Sequence, residues 1–364
     1  MDVRFDDVTF QLGAQRREGP GELRLVVQNG RQFQERHPAV PVLVDKGRYL
    51  LVDIAAAPGI ASDPACFGVF PVVPGSTVFR TVAPPAAPAR VPRIRALVDR
   101  VAPEAYAADL RQLTSYPTRH STSASFAEAA AWAAAELGAL GFTASGEPFT
   151  WAGGTSANVV AVRAGTGPGD RGLVYATAHL DSVNHVDGPG GPAPGADDNA
   201  SGAAGVLQIA RVLRDQPLAA DLRLVLFGGE EQGLHGSRAH VAALAAADRP
   251  RVAAVVNMDM IGVRNTARPA VLLEGAPRSQ GVIDGLASAA AAYTGLEVQV
   301  SLSPYASDHV PFLDAGLPAV LTIEGADGAN TAVHTAGDTV DRVDVALAAE
   351  VVRMNVAYVA SVAG

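Results

Sequence analysis

The sequence is short of several residue types, and each shortage excludes something. Cys66 is the only cysteine in 364 residues, so neither an internal disulfide nor a multi-thiolate metal site can be built. Lys46 is the only lysine, which leaves nearly all positive charge to arginine. Positive charge is scarce altogether: 28 Lys and Arg stand against 37 Asp and Glu, a formal charge of -9. That balance argues against nucleic acid or an anionic membrane surface as the main partner. It suits an enzyme that gathers carboxylates around cations. No uninterrupted apolar run reaches spanning length, since the Ala-rich stretch 125–140 carries Glu128 and Glu136. The start, MDVRFDDVTFQLG, has no basic end and no apolar core, unlike a signal peptide. A soluble chain is expected, cytoplasmic as given and secreted if a leader was trimmed. No nucleotide-binding glycine fingerprint of proper spacing occurs.

What is present divides into two textures. Residues 1–80 hold short apolar runs broken by Gly, Pro and Asn, the pattern of a small β-rich accessory domain. His37 and Cys66 stand alone there and are expected to be structural. A Pro-rich stretch follows, and 81–93 is expected to be a semi-rigid linker. From residue 94 onward, Val/Leu/Ile runs alternate with helical spacing, which indicates an α/β sandwich around a central mixed, mostly parallel sheet. Helices are expected over 94–113, 125–140, from about 237, near 283–293 and over about 343–362.

The chemistry-bearing residues fall where the strands end. His179 and Asp181 close the run beginning Leu173-Val-Tyr-Ala-Thr. Asp197 and Asp198 precede Asn199-Ala-Ser-Gly and a helical pattern. Glu230 and Glu231 follow the strand ending at Phe227, Asp259 ends the strand from Val252, and His334 sits in a turn before the last helix. Open α/β folds place their sites at such carboxyl ends. Two imidazoles and four carboxylates without a thiol suit divalent ions held by nitrogen and oxygen, zinc being the first choice. The set His179, Asp198, Glu230, Glu231, Asp259 and His334 supports two ions bridged by one carboxylate, with another carboxylate left free to take and return the proton of an attacking water. The adjacent Glu230 and Glu231 suit that division. Asp181 is placed to accept the second N–H of His179 and fix its tautomer. Asp197 is expected to be a turn or cap group, and His185, His235 and His240 are expected to be exposed or packed.

Six segments, AHLDS at 178–182, GADDNASG at 195–202, GGEEQGLHGS at 228–237, NMDMIG at 257–262, SDHVPFLDAGLPAV at 307–320 and HTAGDT at 334–339, resemble in order those of the co-catalytic di-zinc aminopeptidases of the bacterial leucyl type and their glutamate carboxypeptidase-like relatives. The resemblance implies two zinc ions, with Asp198 bridging, His179 and Asp259 completing one site, and Glu231 and His334 the other. It also implies Glu230 as general base, Asp181 behind His179, and a cis peptide joining Asp198 to Asn199. Asp308 and His309 match one of these segments and are expected near the site. Some relatives have a tyrosine before the last histidine where this chain has Val333, so Tyr305 is the replacement candidate for supporting an oxyanion. The implied activity is an aminopeptidase acting on a peptide or small amide. The alternatives are a carboxypeptidase or amidohydrolase, for which Arg264 would hold a substrate carboxylate, and a non-catalytic binding domain of the same fold.

Overall fold

The computed structural model describes residues 2–5, 8–11, 22–28, 30–63, 66–73, 76–83 and 90–364. Among the described residues the strands are β1 (Asp2–Phe5), β2 (Val8–Gln11), β3 (Leu23–Gln28), β4 (Val42–Lys46), β5 (Tyr49–Asp53), β6 (Phe67–Pro71) and β7 (Thr77–Val82). They continue with β8 (Thr143–Trp151), β9 (Gly154–Arg163), β10 (Leu173–His179), β11 (Asp221–Phe227), β12 (Val252–Met258), β13 (Ala270–Gly275), β14 (Glu297–Ser301) and β15 (Ala319–Glu324). The helices are α1 (Gln32–Arg36), α2 (Pro92–Val98), α3 (Pro103–Thr114), α4 (Ala124–Ala139), α5 (Gly202–Leu213), α6 (His235–Ala243), α7 (Gln280–Tyr293), α8 (His309–Asp314) and α9 (Val345–Ala363). The single helix expected over 94–113 is two, because Pro103 cannot donate a helical N–H and instead opens α3 at its first turn.

The large sheet runs β2-β1-β7-β14-β13-β15-β12-β10-β11-β9-β8. Its middle, β15-β12-β10-β11, is parallel, and antiparallel pairings flank it at β9 and at β13. Strand alternation assigns the faces. In β10, Val174, Ala176 and Ala178 point into a core with α2, α3, α5, α7 and α9, while Leu173 and Tyr175 point to α6 and α8. Because α5 returns the chain to β11 and α6 carries it past β10 to β12, the strand order reverses at β10. The carboxyl ends of β10, β11 and β12 therefore meet at one crevice. Helix α9 has the length and apolar content of a membrane span, but it is mostly buried in the helical layer.

The expected division at 81–93 needs correction. Thr81 and Val82 lie in β7, which pairs with β14 of the large sheet, and Pro92 and Arg93 lie in α2. Residues 84–89 of the expected linker lie outside the described residues. The antiparallel sheet β4-β5-β3-β6 is only part of the β-rich unit expected over 1–80, because β1, β2 and β7 join the large sheet. The outer face of the small sheet holds a small core of its own with Val26, Phe33, Leu50, Val52 and Phe67, but its inner face is shared with the large sheet. Its inner residues Leu25, Val27, Tyr49 and Leu51 pack on Met260, Leu272, Leu321 and Ile323. The small sheet thus covers the part of the large sheet that α6 and α8 leave open, which the two-texture composition could not reveal.

Candidate metal centre

The crevice collects the two imidazoles between carboxylates. His179, the last residue of β10, has its Nε2 3.1 Å from Asp198 Oδ1 and 3.2 Å from Asp259 Oδ1. His334 Nε2 lies 3.0 Å from Asp198 Oδ2 and 3.0 Å from Glu231 Oε2. Asp198 therefore turns one oxygen toward each histidine, and two triads, His179–Asp198–Asp259 and Asp198–Glu231–His334, share it. The Glu231 Oε1 atom is buried without a hydrogen-bond partner. Glu230 pairs with neither histidine, although its electrostatic neighbours are His179, Asp308, Glu231 and Asp259.

Each side chain is held by backbone that the sequence shapes locally. Gly229, at φ 67, makes the left-handed turn that lifts Glu230 and Glu231 off the end of β11. Gly195, at φ 52, brings its Cα so close to the Asp198 carbonyl that a Cβ would stand 2.4 Å from that oxygen. The Asp198–Asn199 peptide is cis, as the resemblance implies. Left-handed conformations at Met260 (φ 51), Ala306 (φ 45) and His334 (φ 59) are costly for residues with a Cβ and concentrate around the centre.

The supporting residues differ in part from expectation. The His179 Nδ1 faces the Asp181 backbone carbonyl at 3.1 Å and its carboxylate only at 3.6 Å. The Asp181 carboxylate instead accepts the N–H groups of Glu230 and Glu231, each at 3.3 Å. It fixes the glutamate turn more directly than the imidazole. Asp308 is fully buried beside His179, Asp181, Asp259 and Ser237. His309 does not reach the triads, because its Nε2 lies 3.3 Å from Glu274. Tyr305 packs its ring edge-on to Phe70 of β6, with its hydroxyl buried and unpartnered. Asp197 does more than cap: it accepts from Gly262 N at 2.9 Å and from Asn330 Nδ2 at 2.9 Å. His185 is exposed as expected, yet its ring sits 4.5 Å from that of His334.

Other groups went unnoticed in the sequence. Asp338 accepts the N–H groups of Asp197 and Asp198 at 3.0 Å each and so aims the bridging aspartate. A relay from Thr177 through Asn257 to Ser307 ends on Asp259 Oδ2 at 2.7 Å. Arg119 is completely buried and donates to the carbonyls of Leu180, Leu113, Pro194 and Gly195, shaping the loop that carries Asp198. Asp338 and Asn257 sit inside quoted motifs, but nothing in one sequence separates such hydrogen-bonding residues from their neighbours. Arg119 stands outside every motif.

The electrostatics show a site crowded with negative charge. Burial pushes Glu231 up to about 7, His334 opposes that, and Asp198 adds to the rise. Burial, opposed by His179, also lifts Asp308 to about 7, with Asp181 and Asp259 adding to the shift. Glu230 is driven well above its usual range by burial, opposed by His179 and reinforced by Asp308, Glu231 and Asp259. Burial would lower both histidines, but Asp259 and Glu230 raise His179, and Glu231 and Asp198 raise His334. Burial works against ionised Asp198 as well, yet its bonds to both imidazoles hold it far below the ordinary carboxylate range. Clustered carboxylates of this kind need compensating positive charge, and the oxygen and nitrogen donors, the bridging Asp198 and the orphaned Glu231 oxygen all fit a pair of divalent cations.

The chain is similar to known proteins in sequence and in fold. Leupeptin-inactivating enzyme 1 of Streptomyces exfoliatus is 32% identical over 218 residues, 57% of this chain and 46% of that one. The zinc aminopeptidase BSAP of Bacillus subtilis superposes with a TM-score of 0.52 at 26% identity, over 58% of this chain and 52% of that one. This chain thus spans about half the length of either relative. The LapA aminopeptidase of Legionella pneumophila matches in fold, with a TM-score of 0.66 at 17% identity over 94% of this chain and 99% of that one. The profile of Peptidase family M28 matches residues 158–359, which take in both triads and more than half of the chain. The chain belongs to peptidase family M28.

Proposed function

We propose that this chain is a two-zinc aminopeptidase. The observation that carries the reading is Asp198, whose two carboxylate oxygens each face a different histidine at 3.0–3.1 Å, with Asp259 and Glu231 completing the triads. His179, Asp198 and Asp259 would hold one ion, and Asp198, Glu231 and His334 the other. Zinc is preferred because the donors are imidazole and carboxylate only, and because the Bacillus relative is a zinc aminopeptidase. Bound there, the ions would supply Lewis acidity toward water and toward the scissile carbonyl.

The chain's own residues do the rest. Glu230 stands beside the triads with a carboxylate that forms no close ion pair with either histidine, so it is the group free to take the proton of water and return it to the leaving amine. Burial and the neighbouring carboxylates raise its pKa well above that of a free glutamate, against the opposing pull of His179, which favours its holding a proton between the two transfers. The acidic surroundings favour a substrate bearing a free ammonium group. A carboxypeptidase needs an available cation, and the candidate Arg264 is instead bound to Asp344 at 2.8 Å. All six ligand and base positions are filled by competent residues, which also weighs against a non-catalytic binding domain.

The test compares zinc-loaded and chelated protein on amino-acid anilides, their N-acetylated forms and peptides blocked at the carboxyl terminus. Hydrolysis should require metal and a free amino group and should ignore the carboxyl end. Full activity in metal-free protein, or cleavage that demands a free carboxylate, would overturn the reading.

A further inference from the structure

One buried side chain of the small N-terminal sheet bonds to two loops of the metal centre at once. Arg48 lies in the β4–β5 hairpin and is only 5% exposed. Its Nη1 donates to Asp327 Oδ2 at 2.9 Å, its Nη2 donates to the Tyr305 carbonyl at 2.8 Å, and its Nε lies 3.3 Å from Glu274 Oε2. Glu274 in turn accepts Tyr305 N at 2.9 Å, faces His309 at 3.3 Å and takes the Tyr49 hydroxyl. One guanidinium therefore clamps two loops, and both run directly into the centre.

Along the first loop, Asp327 stands seven residues before His334. Between them Asn330 bonds Asp197 at 2.9 Å, and Gly328 packs against Gly30 and the Gly47–Arg48 backbone of the small sheet. Along the second, Tyr305 stands two residues before Ser307, whose hydroxyl donates to Asp259 Oδ2 at 2.7 Å. His334 belongs to one triad and Asp259 to the other. Both loops also contain left-handed non-glycine residues, Ala306 (φ 45), Ala326 (φ 56) and His334 (φ 59). Such conformations persist only where surrounding contacts impose them.

We propose that Arg48 is a positioning residue for the metal centre, by which the N-terminal sheet sets the placement of His334 and of the Ser307–Asp259 pair. The inference rests on the two-zinc reading of that centre. A planar fork with several fixed donors can hold a carboxylate and a carbonyl in different loops at once, whereas an ammonium is a single point charge. Loss of the fork should therefore loosen both triads even where the charge is kept.

The experiment uses the full chain and three variants, Arg48→Met, Arg48→Lys and Leu25→Ala. Leu25→Ala thins the packing between the sheets without touching the fork and serves as the stability control. Zinc dissociation constants are measured by competition with a chromogenic chelator, well below each variant's Tm, with kcat and KM on an anilide. Arg48→Met and Arg48→Lys should bind at least one zinc about 10–100-fold more weakly, the usual cost of losing a group that orients ligands. Their kcat should fall more than their KM rises. Leu25→Ala should lower Tm while keeping the parent zinc affinity. Parent-like zinc affinity and kcat in Arg48→Lys overturn the inference, and this variant decides alone if Arg48→Met fails to fold. Equal zinc loss in Leu25→Ala also overturns it, because general loosening would then explain the effect. If the parent chain binds no zinc, the two-zinc reading fails first, and the inference falls with it.

Discussion

The proposed division of labour at the centre rests on adjacent glutamates with different surroundings. Glu231 faces His334 with one oxygen and leaves the other buried and unpaired, whereas Glu230 forms no close ion pair with either histidine. Glu230→Gln keeps the size and polarity but cannot accept a proton. Its kcat should fall by about 10²–10⁴, the usual contribution of a positioned base, while zinc content stays at the parent level. Glu231→Gln replaces an anionic donor, so one zinc should be lost and activity should recover partly in excess zinc. Metal analysis beside kcat for the two variants checks the assignment, and the opposite pattern would exchange the roles. At this scale the triad residues were legible in the sequence because each ends a strand or opens a turn. The role of Asp181 was only half legible. Its spacing from His179 allowed contact with the imidazole, but the folded β11 turn brings two backbone N–H groups to the carboxylate instead.

Elements of the large sheet follow from local pattern, and their partners do not. The buried, branched runs of β10, β11, β12 and β15 identify interior strands wherever they pair. The Pro-rich composition of 81–93 predicts a linker that ends a separate domain, yet within β7 Val82 pairs with Val298 and Arg80 with Val300 of β14. A fragment starting at residue 94 should therefore fail to fold well. It leaves β14 as an unpaired edge, strands Glu274 and Asp327 without Arg48, and uncovers Met260, Leu272, Leu321 and Ile323. Each such apolar side chain contributes about 1.5–3 kcal/mol when fully buried. Four of them approach the total stability of a domain, about 5–15 kcal/mol. Expression of residues 94–364 should yield aggregated protein or protein without a cooperative thermal transition. A soluble fragment with the parent Tm would restore the boundary at the linker.

The molecule as a whole should respond to pH through its metal centre. Glu231 and Asp308 are pushed up to about 7, and both centre histidines are raised as well. Each raised pKa means that the folded metal-free chain binds more protons than the unfolded chain. The stability contributed by these groups is complete below their unfolded values and is lost as pH rises through the folded ones. Asp198 acts in the opposite sense, but only in strong acid. Between about pH 5.5 and 8, the Tm of the metal-free protein should therefore fall. Zinc needs deprotonated ligands and binds the folded chain, so the Tm increment it confers should grow over the same interval. Thermal melts with and without zinc across this range test both statements. A metal-free Tm that rises with pH would contradict the charge crowding described for the centre.

Composition excluded an internal disulfide and a multi-thiolate metal site, and the strand-end residues marked the crevice, because burial patterns and turn chemistry are written in short stretches of chain. The six segments imply one centre for His179, Asp198, Glu230, Glu231, Asp259 and His334, since strands of a parallel sheet deliver their carboxyl ends to one side. Only the tertiary structure decided that Tyr305 turns to Phe70, that His309 belongs with Glu274, and that Arg48 of the small sheet clamps two loops of the centre. Arg48 and Asp327 are 279 positions apart. No periodicity or local motif reports on such a contact, because it exists only once the small sheet has packed its inner face on β13 and β15.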